Sequence, residues 1–583
     1  MGNNSFPKSD IVVRIGGEAG YGVMTAAALL AKCAKNEGLY VYMSAEYPSL
    51  IRGGHNFADV RISCQPVHAN RKTVDILLCM NTETVTKHCD VIVEGGFILY
   101  DSKETALGTC PAHIECLDLP IIEIAKKNGG PILRNTIVVA AALELMGIGA
   151  DHFKEQLRKQ FAKKGDDIIN QNVGAVDETV QYVRTHHQHE LGFSCATPVD
   201  LSQHLFMNGN EAFAIGSIKA GCKFMASYPM TPGSSVLETM AKHEHDHDVV
   251  LKQTEDELAA ANMICGASYA GVRAMAATSG GGFALMVEAL GAAIQQEHPI
   301  VILLASRPGP GTGMATHTAQ SDLNLAVFAG GDDAPRIVLA PGDVEECFYL
   351  GFEAFNYAEE FQVPVVVLTD KALATSTKII PAFNHRSLTI RRGKLLSAKD
   401  LANTTKYKRY ALLDGDPISP RALPGTPNGM HVNTTYEHDE YGTECEDGLN
   451  KLAMTRKRFM KIDHAKYSLP KPLVRGPENA PVSIISWGSS KMWIDQALQE
   501  LATEGVHVRH MHIRTIFPLH TEEVTQFIDS SKNLFILEQN YSGQLHGLIQ
   551  RYCNRTIHQK FLQYDGYTPD VAAIKAKIKE MMS

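Results

Sequence analysis

The chain has 583 residues, too many for one hydrophobic core, so about three or four domains are expected. A net charge of −9, with 20% charged and 44% hydrophobic residues, describes a globular protein and excludes the strongly basic balance of a nucleic-acid binder. The opening MGNNSFPKSD lacks the layout of a secretory signal, and no stretch of about 18 uncharged apolar residues predicts a membrane span, so a cytoplasmic protein is expected.

The first segment, 1–190, opens with an apolar run over 10–15, then Gly16-Gly-Glu-Ala-Gly20-Tyr-Gly22 and a helical stretch over 23–34. Strand, glycine turn and helix begin an α/β unit. Further strands are predicted at 74–79 and 91–93, and the polar run over 183–190 leads into a linker at 191–204. A second α/β segment occupies 205–385. Its predicted strands, 224–227, 273–278, 300–304 and 363–368, alternate with helices such as 257–270 and 284–296. The last three strands are almost continuously apolar, as strands covered on both faces should be, which predicts a parallel sheet between helical layers. Residues 386–475 mix charge runs with a Pro/Gly-rich piece and read as an irregular connecting segment. Patterning resumes over 476–583, with strands predicted at 482–486, 506–508 and 533–537. The fold class is α/β, in three domains.

Chemistry-bearing residues gather where the strands of the second segment should end, the edge at which parallel sheets bind ligands. Tyr228-Pro-Met-Thr-Pro-Gly-Ser-Ser235 follows the first of these strands, and its prolines fix the backbone around Thr231. Gln253-Thr-Glu-Asp-Glu-Leu-Ala-Ala-Ala261 opens a small-residue helix with three acids. Glu255 and Asp256 read as capping groups favoured by the macrodipole, whereas Glu257 precedes small residues that let another backbone approach and perturb its proton affinity. Thr278-Ser-Gly-Gly-Gly282 suits close approach to a ligand, or is a flexible turn. Ser306-Arg-Pro-Gly-Pro-Gly-Thr-Gly313 sets Arg307, a permanently charged fork for a carboxylate or phosphate, ahead of a glycine–proline loop. In the first segment the glycines over 16–22 read either as a phosphate cradle or as a tight strand–helix turn without the strict dinucleotide spacing. Arg52-Gly-Gly-His55 reads either as an anion site or as a turn at a subunit contact. None of the 12 cysteines forms Cys-x-x-Cys, so an iron–sulfur cluster of the usual spacing belongs on another chain, and no metal site is expected here.

In this order, the motifs at 228–235, 255–260, 278–282 and 307–313 resemble the α subunit of the 2-oxoacid:ferredoxin oxidoreductases, most closely the 2-oxoglutarate:ferredoxin oxidoreductases (2-oxoglutarate synthases). The likeness extends through Ser419-Pro-Arg421, Glu437-His-Asp-Glu440, Trp487-Gly-Ser489 and Glu538-Gln-Asn-Tyr-Ser-Gly543, and the first segment is similar to the family's γ domain, fused ahead of α. The resemblance implies that 205–385 is the pyrimidine-binding domain of a thiamine diphosphate site and that 476–583 is like a transketolase C-terminal domain. The Gly-Asp-Gly motif and following asparagine pair that hold the diphosphate and its cation are missing. The nearest runs are Leu413-Asp-Gly-Asp-Pro417 and the terminal Asn3-Asn4. Mg2+ and a four-iron four-sulfur cluster are therefore expected on a β partner chain, in a dimer of αβ heterodimers that serves ferredoxin and uses coenzyme A as substrate.

By motif, Glu257 corresponds to the glutamate that hydrogen-bonds N1′ of the aminopyrimidine, favouring the imino tautomer that deprotonates the cofactor's C2. Tyr228, Pro229, Ser279 and Gly280 are implied cofactor contacts, and Thr231 and Arg307 are implied contacts to the substrate's 1-carboxylate and carbonyl. Two departures stand out. Thr316-His-Thr318 replaces the commoner Thr-Arg-Thr, which makes His317 and Thr318 candidates for the distal carboxylate of 2-oxoglutarate, by hydrogen bond or, when the ring is protonated, by charge. Gly330-Gly331-Asp332 replaces a familiar His-Gly-acidic triplet. Open alternatives are an oxidoreductase for pyruvate or another 2-oxoacid, a non-redox thiamine enzyme, and a dinucleotide-binding or scaffolding subunit.

Overall fold

The computed structural model describes residues 8–48, 53–108, 111, 113–187, 191–195 and 198–583; Arg52 and the Asn3-Asn4 pair lie outside them. The chain divides into two units: Met1–Met207 with Ser376–Ala382 and Asp570–Ala572, and Asn208–Thr375 with Phe383–Pro569 and Ala573–Ser583.

In the first unit an eight-stranded sheet takes the order Glu115–Asp118, Ile92–Tyr100, Val74–Cys79, Asp10–Glu18, His55–Ser63, Tyr40–Glu46, Thr377–Ile380, Leu205–Asn208. The first four strands are parallel, and His55–Ser63 lies antiparallel between its two neighbours. The leading strand runs beyond the predicted 10–15, through Gly16 and Gly17. A Cβ on Gly16 would come within 2.5 Å of Thr84 Cγ2, so the missing side chain lets the helix Thr82–His88 pack against the strand. The turn itself is made by Gly20 and Gly22, both at positive φ, and the helix Val23–Asn36 follows. A side chain on Gly22 would collide with Asn135. The second segment returns one strand to this sheet: Thr377–Ile380, buried throughout, pairs antiparallel with Tyr40–Glu46.

In the second unit seven strands take the order Thr515–Phe517, Ile337–Leu339, Val365–Asp370, Val301–Ser306, Ala274–Thr278, Phe224–Ser227, Val250–Gln253. All but Thr515–Phe517 are parallel. The strands from Ile337–Leu339 to Ala274–Thr278 are buried along their whole length, as the apolar runs required. A five-stranded sheet follows in the order Leu473–Arg475, Arg509–Ile513, Val482–Trp487, Asn533–Glu538, Gln559–Leu562, antiparallel only at its first strand. Its second strand starts at Arg509 and not at 506–508. Gly505, at φ 76°, ends the helix Ser490–Thr503, and Val506 N–H still turns back to Leu501 O. The three α/β sheets of the expected fold class are present, and the last two share one core in which Ile485, Trp487 and Met511 join Ile302, Val338 and Val366.

The segment 386–475, expected to be irregular, contains the helix Gly448–Lys466, whose N-terminus is capped by Asp447 accepting from Leu449 and Asn450 N–H. Its inner face buries Lys457, Arg458 and Lys461 beside Met454 and Ile462. Glu297 takes Lys457 at 2.5 Å and Lys461 at 2.6 Å, and Glu437 takes Arg458 at 2.7 Å. Arg421 reaches Glu359 at 3.2 Å. Arg421 thus ties this segment, as a strap, to the rest of the second unit, and the 437–440 motif does so through Gln295, whose Nε2 donates to Glu437 Oε1 at 3.2 Å. Among the described residues no helix is long and apolar enough to cross a membrane.

Candidate functional site

The carboxyl ends of Phe224–Ser227, Ala274–Thr278 and Val301–Ser306 bring the predicted motifs to one edge of the seven-stranded sheet. Asp256 accepts from Ala259 N–H at 2.8 Å and caps the helix Glu257–Tyr269. Glu257 follows in the first turn, only 2% exposed. Thr278 Oγ1 donates to Glu257 Oε1 at 3.4 Å. Gly282 shows why a glycine stands opposite: a Cβ there would collide with the Thr278 hydroxyl and the Glu257 carboxylate together. A buried carboxylate held by so long a bond is costly unless a further partner meets it.

Beside it Ser279, fully buried, has an Oγ without a hydrogen-bond partner among the described residues. Gly280 starts the short helix Gly280–Leu285, and a Cβ there would approach Asp322 Oδ1 to 2.6 Å. The loop 228–235 contains a cis Thr231–Pro232 bond. Asn210 ties it down, its Nδ2 donating to Pro232 O at 2.7 Å and Ser235 Oγ at 2.8 Å. Tyr228, 39% exposed, and Pro229 stay on the open side. Arg307 Nη1 donates to Thr231 O at 2.8 Å, so these two residues meet through the Thr231 backbone and leave its hydroxyl out of the contact. Burial pushes the Arg307 pKa down, and Asp322 opposes that shift.

The loop that Arg307 opens continues to His317 and Thr318. His317 is half-buried, edge-on to Tyr567 with ring centroids 5.0 Å apart. Burial, then Lys371, push its pKa below the ordinary histidine value, which favours the neutral ring and a hydrogen bond over charge. Thr318 turns inward: its hydroxyl reaches Asp370 Oδ1 at 3.3 Å and accepts Ala372 N–H at 3.2 Å, while its N–H donates to Gly566 O at 3.0 Å. That hydroxyl, expected at the substrate, is committed to bracing the sheet edge.

Sequence reasoning missed Asn210, Gln320 and Asp322. Gln320, fully buried, donates from Nε2 to Trp487 O at 2.9 Å and accepts Ser490 Oγ and Gln539 N–H on Oε1 at 3.2 and 3.1 Å. Glu538 collects Leu545 N–H, His546 N–H and Asn540 Nδ2 within 3.0 Å. The Trp487–Ser489 and Glu538–Gly543 motifs therefore join the two sheets. Asp322 did carry a signal, an acid closing the loop that Arg307 opens; Asn210 and Gln320 carried none. In the first unit His55 is buried against His88, Nε2 to Nε2 at 2.8 Å, and His88 Nδ1 takes Arg14 Nη1 at 3.1 Å. Burial pushes the His88 pKa down to about 3.

A family model described as pyruvate flavodoxin/ferredoxin oxidoreductase, thiamine diphosphate-binding, matches residues 215–457, and one described as pyruvate ferredoxin/flavodoxin oxidoreductase matches 12–182. The chain is 32% identical to the 2-oxoacid:ferredoxin oxidoreductase 2 subunit alpha of Aeropyrum pernix, with 98% of each chain covered. It is 33% identical to the 2-oxoglutarate synthase subunit KorA of Methanothermobacter marburgensis, covering 60% of this chain and 92% of that one. The solved 2-oxoglutarate:ferredoxin oxidoreductase from Magnetococcus marinus, with 2-oxoglutarate, coenzyme A and succinyl-CoA bound, matches at TM-score 0.92 and 33% identity over 99% of this chain and 100% of its own. This chain belongs to the α subunits of the 2-oxoacid:ferredoxin oxidoreductases.

Proposed function

We propose that this α subunit works with a β partner chain as a 2-oxoglutarate:ferredoxin oxidoreductase, interconverting 2-oxoglutarate plus coenzyme A and succinyl-CoA plus CO2 with electrons passing to or from ferredoxin. The observation that carries this reading is the buried Glu257 carboxylate, packed against Thr278 and Gly282 at the sheet edge that also presents Arg307. An aminopyrimidine fits the chemistry of that corner: Glu257 supplies a buried carboxylate and Ser279 a buried hydroxyl without a partner among the described residues, with Gly280 next in the chain. When bound, thiamine diphosphate supplies the nucleophilic carbon and the electron sink.

The chain's own residues do the rest. Glu257 holds the proton shared with N1′ of the pyrimidine, and Tyr228 and Pro229 flank the ring. Arg307 and Thr231 orient the 1-carboxylate and carbonyl of the substrate. His317, neutral, donates to the distal carboxylate. Mg2+ and the four-iron four-sulfur cluster belong to the β chain, and two αβ pairs assemble. In this reading 1–190 is a γ-type domain, 205–385 the pyrimidine-binding domain, 386–475 the strap and 476–583 the transketolase C-terminal-like domain. The choice of 2-oxoglutarate draws support from the ligands of the Magnetococcus marinus enzyme and from the KorA relative.

The test is co-purification with the natural β chain. The complex should contain thiamine diphosphate and iron and reduce a viologen only with coenzyme A present, with kcat/KM higher for 2-oxoglutarate than for pyruvate. A preference for pyruvate refutes the substrate assignment, and stoichiometric iron on this chain purified alone refutes the split site.

A further inference from the structure

Asp322 has no part in the reading above, yet it stands where three of its pieces meet. Its carboxylate accepts from Ser306 Oγ at 2.5 Å, and Ser306 is the residue before Arg307. It also lies against Gly280, where an added Cβ would come within 2.6 Å of Oδ1. Burial pushes the Asp322 carboxyl above its ordinary value, with the Ser306 hydroxyl and then Arg307 opposing, and Thr231 O meanwhile holds Arg307 Nη1 at 2.8 Å. No ion pair joins the acid to the guanidinium among the described residues; Asp322 stands beside Arg307 through its bond to Ser306 and does not cap the fork.

An anion so placed subtracts from the attraction that Arg307 exerts on a substrate carboxylate. That matters because loss of CO2 drains negative charge from the very carboxylate Arg307 holds. A full-strength grip stabilises bound substrate more than the transition state, and such stabilisation slows the chemical step. The same transition state governs the reverse, carbon-fixing direction. We infer that Asp322 is a positioning residue that tempers Arg307, weakening its hold on the 1-carboxylate so that tight binding does not oppose decarboxylation. Ser306 keeps the acid in place, and Gly280, having no side chain, leaves the room it needs. The inference rests on the reading of Arg307 as the group that meets the 1-carboxylate.

Asp322→Asn keeps the size and an acceptor for Ser306 but removes the charge. In the complex with the β chain, KM for 2-oxoglutarate and kcat should both fall, each by about fivefold or more, leaving kcat/KM within about threefold of wild type. A merely structural lesion does not tighten substrate binding. Should the asparagine variant fail to assemble, judged by thermal melting of the complex, Asp322→Ser removes the same charge and should shift both constants the same way. A KM that is unchanged or higher, in whichever variant assembles, overturns the inference. If Arg307→Lys leaves kcat/KM for the 2-oxoacid intact, the assignment of Arg307 has failed and this inference goes with it.

Discussion

Replacing Glu257 by glutamine exchanges one oxygen for an amide nitrogen in a side chain that is 2% exposed, so packing is kept and the effect falls on the proton the carboxylate handles. Thr278 Oγ1, at 3.4 Å, donates as well to an amide oxygen, and Asp256 keeps the helix capped. The thermal midpoint of the complex should therefore stay within about 3 °C, the shift that roughly 1 kcal/mol makes in a large domain. Proton transfer by a positioned group is worth about 10²–10⁴-fold, or about 2.7–5.4 kcal/mol of barrier. An amide cannot bias the pyrimidine tautomer as a carboxylate does, so kcat should drop by at least about a hundredfold. The assay is coenzyme A-dependent viologen reduction at saturating 2-oxoglutarate, with thiamine measured in the same preparation. A kcat within about threefold of wild type, cofactor bound, would refute the reasoning. Loss of cofactor together with activity would instead place Glu257 in binding.

Arg307→Lys removes the planar fork, and losing a hydrogen bond to a buried anion costs about 1.5–3 kcal/mol, so kcat/KM for the 2-oxoacid should fall about 10- to 100-fold. An unchanged value sinks the assignment. His317→Ala should weaken kcat/KM for 2-oxoglutarate while sparing slow pyruvate turnover, because a site built to donate discriminates against losing its donor. Since its pKa lies below the ordinary histidine value, the substrate ratio should stay flat from about pH 7 to 8; equal losses for both substrates would mean that His317 only supports the loop. Glu297→Ala leaves Lys457, Lys461 and Arg409 buried around no anion, and breaking such a cluster costs about 3–5 kcal/mol. Denaturant unfolding of the complex measures it, and an unaltered midpoint would show that the cluster does not hold the strap.

What could be read in the sequence was whatever one short stretch could state by itself. The strands Val301–Ser306 and Val365–Asp370 are buried at every residue, and a run of apolar side chains says so directly. The helix Gly448–Lys466 was hidden for the opposite reason. Its buried face carries Lys457, Arg458 and Lys461, and a cationic inner face breaks the apolar stripe by which an amphipathic helix is recognised. Its burial makes sense only with Glu297 and Glu437 in place, and Glu297 stands 160 residues before Lys457.

The site divides along the same line. Glu257 and Arg307 stood out as candidates because each lies in a compact local motif, and the structure gives the glycines of the neighbouring 278–282 motif their reasons at Gly280 and Gly282. Thr318 looked like a substrate group because its partners, Asp370 and Ala372, are 52 and 54 residues away and nothing nearby in sequence claims its hydroxyl. Gln320 and Gln539, 219 residues apart, make the same point for the joint between the sheets. A local pattern reports which side chains are present and how the backbone turns. Whether a polar group is left for a ligand depends on which distant group reaches it first. For Thr318 the sheet edge gets there first, whereas the Ser279 hydroxyl remains unmet among the described residues. That difference, invisible in the motifs themselves, is why the Thr318 hydroxyl reads as a brace and the Ser279 hydroxyl as the one proposed for a ligand.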